Sequence, residues 1–71
     1  MHAINPNKLL LSKWTAKSPQ QKQKHFLVIK LIRDDEERVT HCVLEAVLTK
    51  RQFTLDWKAL TSPEHWVIGW Q

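Results

Sequence analysis

Seventy-one residues with four tryptophans, one glycine, one cysteine and a formal net charge of +4 describe one small domain spanning 1–71, close to the length at which a chain buries only roughly 60% of its unfolded surface. The lone Cys42 excludes an internal disulfide, no Cys/His spacing offers a structural zinc, and one glycine excludes a glycine-rich phosphate loop. Residues 1–33 carry seven basic side chains and no acid, whereas residues 34–71 carry four basic and seven acidic ones, so the surface is dipolar if the halves stay apart and self-neutralised if they fold onto each other.

The N-terminal "KLLLSKWTA" (8–16) is apolar and of strand length, but far too short for a signal-peptide core or a membrane span, which predicts a cytosolic protein with no membrane role. An unpaired cysteine suits a reducing compartment. The polar "KSPQQKQK" that follows reads as a loop carrying Lys17, Lys22 and Lys24. "HFLVIKLIR" (25–33) is nearly continuous apolar sequence with Val and Ile, the composition of a buried strand. Its alternation puts Leu27, Ile29 and Leu31 on one face.

"DDEERVTHCVLEAVLTKR" (34–51) admits two readings. Val39, Cys42, Val43, Ala46 and Val47 fall at helical spacing, and Asp34 with Glu37 mimics a capping box. A helix would, however, turn Leu44 and Leu48 away from the apolar stripe. A strand places Cys42, Leu44, Ala46 and Leu48 on one face, so strand is preferred over residues 38–49, with Asp34–Glu37 as a hairpin connection that lacks the usual Asn-Gly or Asp-Gly. Cys42 on that face reads as a small buried hydrophobe rather than a nucleophile.

"QFTLDW" (52–57) alternates cleanly and aligns Phe53, Leu55 and Trp57. "KALTSPEH" reads as one short helical turn and a bend at Ser62-Pro63. "WVIGW" alternates again, with Trp66, Ile68 and Trp70 opposite Val67 and Gly69; Gly69 reads as a bend or bulge. The expected architecture is mainly β: a small five-stranded antiparallel sheet, strongly bent or closed as an SH3-like barrel so that no edge is left open, with one short helical turn before the last strand. Leu27, Ile29, Leu31, Leu44, Ala46, Leu48, Phe53 and Leu55 are its predicted core.

The strings "INPNKLLLSKWTA", "KHFLVIKLIRD", "LEAVLTKR" and "HWVIGW" resemble a family of small tryptophan-rich bacterial proteins of about this length, known as conserved hypothetical proteins. The resemblance spans essentially the whole chain. It implies a free-standing bacterial cytosolic protein and assigns no activity, cofactor or site.

Raw material for catalysis is thin. There is no Tyr, Ser12 and Ser62 lie in no nucleophile motif, and His2, His25, His41 and His65 define no metal geometry. His41 and Cys42 are strand neighbours pointing to opposite faces, so they form no nucleophile and base pair. Asp34–Glu37 lacks the glycine-bearing loop of a calcium site and reads as a solvated hairpin tip. The expectation is a non-enzymatic binding protein without cofactor.

Two binding readings remain. In the first, single-stranded nucleic acid is bound by lysines around the first loop and by exposed indole rings, with Lys13, Trp14, Lys17, Lys22, Lys24 and Trp70 as candidate contacts. In the second, the chain is a protein-interaction module or accessory subunit, its exposed tryptophans anchoring a protein partner. Trp66, entering the last strand after the bend, is expected to be mostly buried. Trp70, near a fraying end, and Trp14, beside the lysine-rich loop, are expected to be partly exposed. Oligomeric state is not legible in the sequence.

Overall fold

The structure, a computed structural model, describes residues 4–20 and 23–71, apart from the side chains of residues 19 and 20. Five strands, β1 (Lys13–Gln20), β2 (Gln23–Arg33), β3 (Val39–Ala46), β4 (Gln52–Asp56) and β5 (Trp66–Ile68), form one antiparallel sheet in the order β4-β3-β2-β1-β5. Helical structure among the described residues is limited to two 3-10 turns, η1 (Pro6–Lys8) and η2 (Trp57–Thr61). Both start on a side-chain cap: Asn5 Oδ1 accepts from the Asn7 N–H at 3.0 Å, and Asp56 Oδ1 from the Lys58 N–H at 2.9 Å, satisfying donors that a helical start leaves open.

The five antiparallel strands and the short turn before the last one match the sequence reading, and residues 39–46 are strand rather than helix. The sheet is not closed, however, and the SH3-like barrel is corrected to an open sheet. Closure needs β4 to pair with β5, whereas β4 pairs with β3 alone and β5 with β1 alone, leaving the two as opposite edges. Instead of a second sheet wall, Leu9 beside η1 and Leu60 within η2 join the core from one side of the sheet, with Ile4 and Trp57 packed against it. One face is thereby covered; the other carries no such layer and is open, although Thr15 and Val43 on it are buried.

Of the polar stretch read as a loop, residues 17–20 and 23–24 are strand, and residues 21 and 22 lie outside the described residues. β1 runs to Gln20 and β2 begins at Gln23, because β1 is held on both flanks, by β2 on one side and by β5 through Thr15↔Val67 and Ala16↔Trp66 on the other. Conversely, the apolar start of "KLLLSKWTA" is a turn: Ser12 N–H donates to the Leu9 carbonyl, and Leu11 holds a left-handed φ of 67°.

A bulge sets which side chains form the core. Between Val28↔Leu44 and Lys30↔Val43 the register slips by one residue, so Phe26 and Val28 before it, and Leu31 after it, all meet the covered face of β3 at Ala46, Leu44 and Cys42. Of the predicted core, Leu44 and Ala46 are buried and Leu31 and Leu55 pack against the core. Leu27 and Ile29 fall on the open face instead, Phe53 on the edge strand is 42% exposed, and Leu48 lies in the β3–β4 turn at 76% exposure. A clean alternation through residues 25–33 hides the bulge that breaks it.

The β2–β3 connection is a compact turn. Asp34 Oδ1 accepts from the N–H groups of Glu36 and Arg38 at 2.8 and 3.0 Å, the Glu37 N–H returns to the Asp34 carbonyl, and Glu37 takes the left-handed φ of 66° that a glycine would take more readily. Those backbone donors hold the Asp34 carboxyl below the ordinary carboxylate range. The asparagine-like side chain of Asp34 does locally what Asn-Gly does in a tighter hairpin.

Candidate nucleic-acid interface

The last strand ends where Gly69 adopts φ 82°, a conformation that side-chain-bearing residues avoid. From there the chain leaves the covered face and lies back across the open one. Thr15 Oγ1 donates to the Gly69 carbonyl at 2.7 Å and accepts from the Gln71 N–H at 2.9 Å. The His25 Nε2–H donates to the Gln71 carbonyl at 2.9 Å, and Trp70 Nε1 donates to the Phe26 carbonyl at 3.0 Å. The Trp70 ring thus sits on β1 and β2 with its polar atom satisfied. Lys13 Nζ is 4.8 Å from its centroid, the His25 ring is 6.0 Å away at 46°, and the indole remains 43% exposed. Trp70 therefore does not share the face of Trp66, as alternation alone suggests: the Gly69 turn separates them. Trp66 is partly buried, its ring edge-on to Phe26 at 5.4 Å on the covered side.

Of the six candidate contacts, Lys13 and Trp70 come together. Lys17 lies exposed further along β1 in the same alternation phase as Lys13. Lys24, also exposed, alternates with His25 and so belongs to the Phe26 side of the sheet. Lys22 lies outside the described residues. Trp14 is corrected: expected to be partly exposed, it is 2% exposed in the core, its Nε1 donating to Ser12 Oγ at 2.8 Å. As the second residue of β1, paired with Phe26 of β2 and Ile68 of β5, it points by its phase at the covered face and not at the lysine-rich connection. His25, absent from the six, is part of the cluster. It pairs with Thr15, one alternation step from the Lys13↔Leu27 pair, a register that the sequence alone does not give.

The electrostatics follow from strand order. No acidic residue occurs in β1, β2 or β5, which carry Lys13, Lys17, Lys24, Lys30 and Arg33. The ion pairs seen among the described residues, Arg38 with Asp34 and Glu36 and Lys50 with Glu45, all lie within residues 34–71. The two halves of the chain are interleaved, since β3 and β5 of the second half flank the basic β1–β2 pair on either side; the basic strands are nonetheless adjacent, and the ion-paired acids lie in β3 and the turn before it.

Elsewhere, Cys42 is fully buried, and burial, reinforced by the negative charge of Asp56, pushes its thiol up to about 11. Ser62 Oγ and His65 Nδ1 meet at 3.0 Å across the turn before β5, where the Ser62 carbonyl also receives the N–H groups of His65 and Trp66; the contact holds the turn. An open cleft of about 490 Å³ between η1, the β2–β3 turn and η2 gathers Arg38, His41, Asp56, Trp57 and Lys58, a set of both charge signs that sequence spacing does not reveal. No group of three or more potential metal ligands occurs among the described residues. No helix among them is long and apolar enough to cross a membrane.

The family model for "Tryptophan-rich protein (DUF2389)" matches residues 12–71. The chain belongs to this tryptophan-rich family, whose function is unassigned. The match begins at Ser12, the residue whose hydroxyl receives the Trp14 N–H, and runs through all five strands. Three of the four family-matched tryptophans contact the core as Trp14, Trp57 and Trp66, and the fourth, Trp70, lies on the open face. Neither the curated proteins nor the solved structures provide a match.

Proposed function

We propose that this family member is a non-enzymatic, cytosolic binding protein whose open β1–β2 face takes single-stranded nucleic acid, with Trp70 as the stacking platform and Lys13, Lys17 and His25 as neighbours of the phosphate chain. The observation that carries the reading is the half-exposed Trp70 ring, held by its own N–H on a stretch of sheet that has basic residues and no acidic ones. Stacking on such a ring contributes about 1–3 kcal/mol per base regardless of base identity, while nearby cations supply a sequence-independent attraction. Trp14 takes no part.

A fluorescence or anisotropy titration with a labelled poly-thymidine strand at low salt tests this. Binding is expected, weakening steeply as salt rises. Trp70→Ala should weaken it roughly 5- to 150-fold, the range that one stacked base spans. Absence of binding at low salt, or affinity indifferent to salt and to Trp70→Ala, sinks the reading.

A further inference from the structure

The two outer strands of this open sheet are unequally protected. At β5, pairing with β1 turns Thr15 and Val67 toward each other and leaves the backbone of Trp66 and Ile68 facing outward. That edge is already closed off within the chain: the Trp66 N–H donates to the Ser62 carbonyl at 3.1 Å, the Ile68 carbonyl accepts from Gln71 Nε2 at 3.3 Å, and Gly69 ends the strand after three residues. At β4 no such device appears. The Ala46 N–H donates to the Arg51 carbonyl, and the register Leu44↔Phe53, Cys42↔Leu55 continues that phase. The backbone groups of Gln52 and Thr54 therefore point away from β3. Of the usual means of blunting an exposed edge, Gln52–Asp56 holds no Pro, Lys or bulge, and its one charge, Asp56, stands at the last position of the strand. Beside these groups, on the covered side of the sheet, Phe53 is 42% exposed with its ring 6.0 Å from that of Phe26.

We infer that β4 is a dimerisation edge and that its occupant is β4 of a second copy of this chain, paired antiparallel about Thr54. Self-pairing is favoured because the segment is complementary to itself in that register. Thr54 meets Thr54 of the second copy with both outward N–H and C=O groups in phase for exchange. Phe53 then faces Leu55 of the second copy and covers its exposed ring edge, while Gln52 faces Asp56, so no like charges oppose each other. The two-fold axis stands perpendicular to the sheet, as an isologous contact requires. The product is a continuous ten-stranded sheet with both open faces, and hence both Trp70 rings, on one side.

Sedimentation of the free protein from micromolar to millimolar concentration tests this without any nucleic acid, so its outcome is independent of the binding reading above. The expected result is a concentration-dependent species of twice the 8.4 kDa chain mass, with amide exchange at Gln52 and Thr54 slowing as it forms. Thr54→Pro removes an N–H that the isolated chain leaves unbonded, so the fold should persist by circular dichroism while the dimer is lost. Phe53→Lys serves as a second variant, keeping the backbone donor but placing a charge at the seam. A wild-type protein that stays monomeric at millimolar concentration overturns the inference. So does a dimer that survives both substitutions, or a Thr54 amide that becomes protected only when an extended peptide of another sequence is added.

Discussion

Trp14 and Trp70 carry the same side chain onto the same two strands, yet they make opposite demands on the molecule. Trp14 is 2% exposed among Leu9, Phe26 and Val28, with its N–H held by Ser12. Trp14→Ala should cost roughly 3–5 kcal/mol, a large share of the 5–15 kcal/mol that holds small domains folded. Trp70→Ala removes one hydrogen bond and a ring already 43% in solvent, so about 1–2 kcal/mol is expected. Urea denaturation of the two variants checks the difference; equal losses would mean that Trp70 is as much a core residue as Trp14. The partial exposure of Trp70 was legible from its place near a fraying end, but its face was not: alternation puts it with Trp66, and the left-handed turn at Gly69 separates the two. The burial of Trp14 was not legible: its proximity to lysines along the chain says nothing about which face of β1 it occupies, and only the pairing with β2 and β5 fixes that.

At the level of elements, apolar content located β2, β3, β4 and β5 but misjudged the arms of the first hairpin, since the polar residues 17–20 and 23–24 are strand by virtue of their neighbours and not of their composition. The bulge after Val28 was equally hidden, and with it the burial of Phe26 in place of Leu27. The β2–β3 connection, by contrast, fell where the acidic run placed it, because Asp34 supplies its own turn-forming acceptor. That turn retains one strained position. Glu37 sits at φ 66°, which costs a side-chain-bearing residue about 1–2 kcal/mol that glycine avoids. The hydrogen bonds that Glu37 makes there use its backbone, the N–H to Asp34 and the carbonyl to Arg33 Nη1 at 2.8 Å, and glycine keeps both. Glu37→Gly should therefore raise stability by a few tenths to about 1 kcal/mol after the entropy of the unfolded glycine is subtracted. A thermal melt that shows the variant less stable would place a stabilising role on the carboxylate itself.

Across the whole molecule, strand order interleaves the two halves of the chain but keeps the basic strands together: β1 and β2 adjoin, with β5 beyond them, and the ion-paired acidic residues lie in β3 and the turn that precedes it. The same arrangement predicts two opposite responses to salt. Lys13, Lys17, Lys24, Lys30 and Arg33 share two adjacent strands with no carboxylate in either, so the folded state carries like-charge repulsion that the extended chain relieves. Added salt screens it over a Debye length that shrinks from about 30 Å at 0.01 M to about 3 Å at 1 M. The three exposed ion pairs lose little by the same screening, since surface pairs contribute about 0–1 kcal/mol each. Sodium chloride should therefore raise the midpoint of thermal unfolding of the free protein while weakening its hold on a single strand, and Lys30→Gln should shrink the thermal response by removing one of the repelling charges near the centre of the sheet. Melts in chloride need a companion series in sulfate, because a gain confined to sulfate would reflect exclusion of that ion from the surface and not screening. A midpoint that falls with chloride would mean that the lysines of the first hairpin are compensated within the fold, and the basic face would then lose the unneutralised charge on which nucleic-acid binding depends.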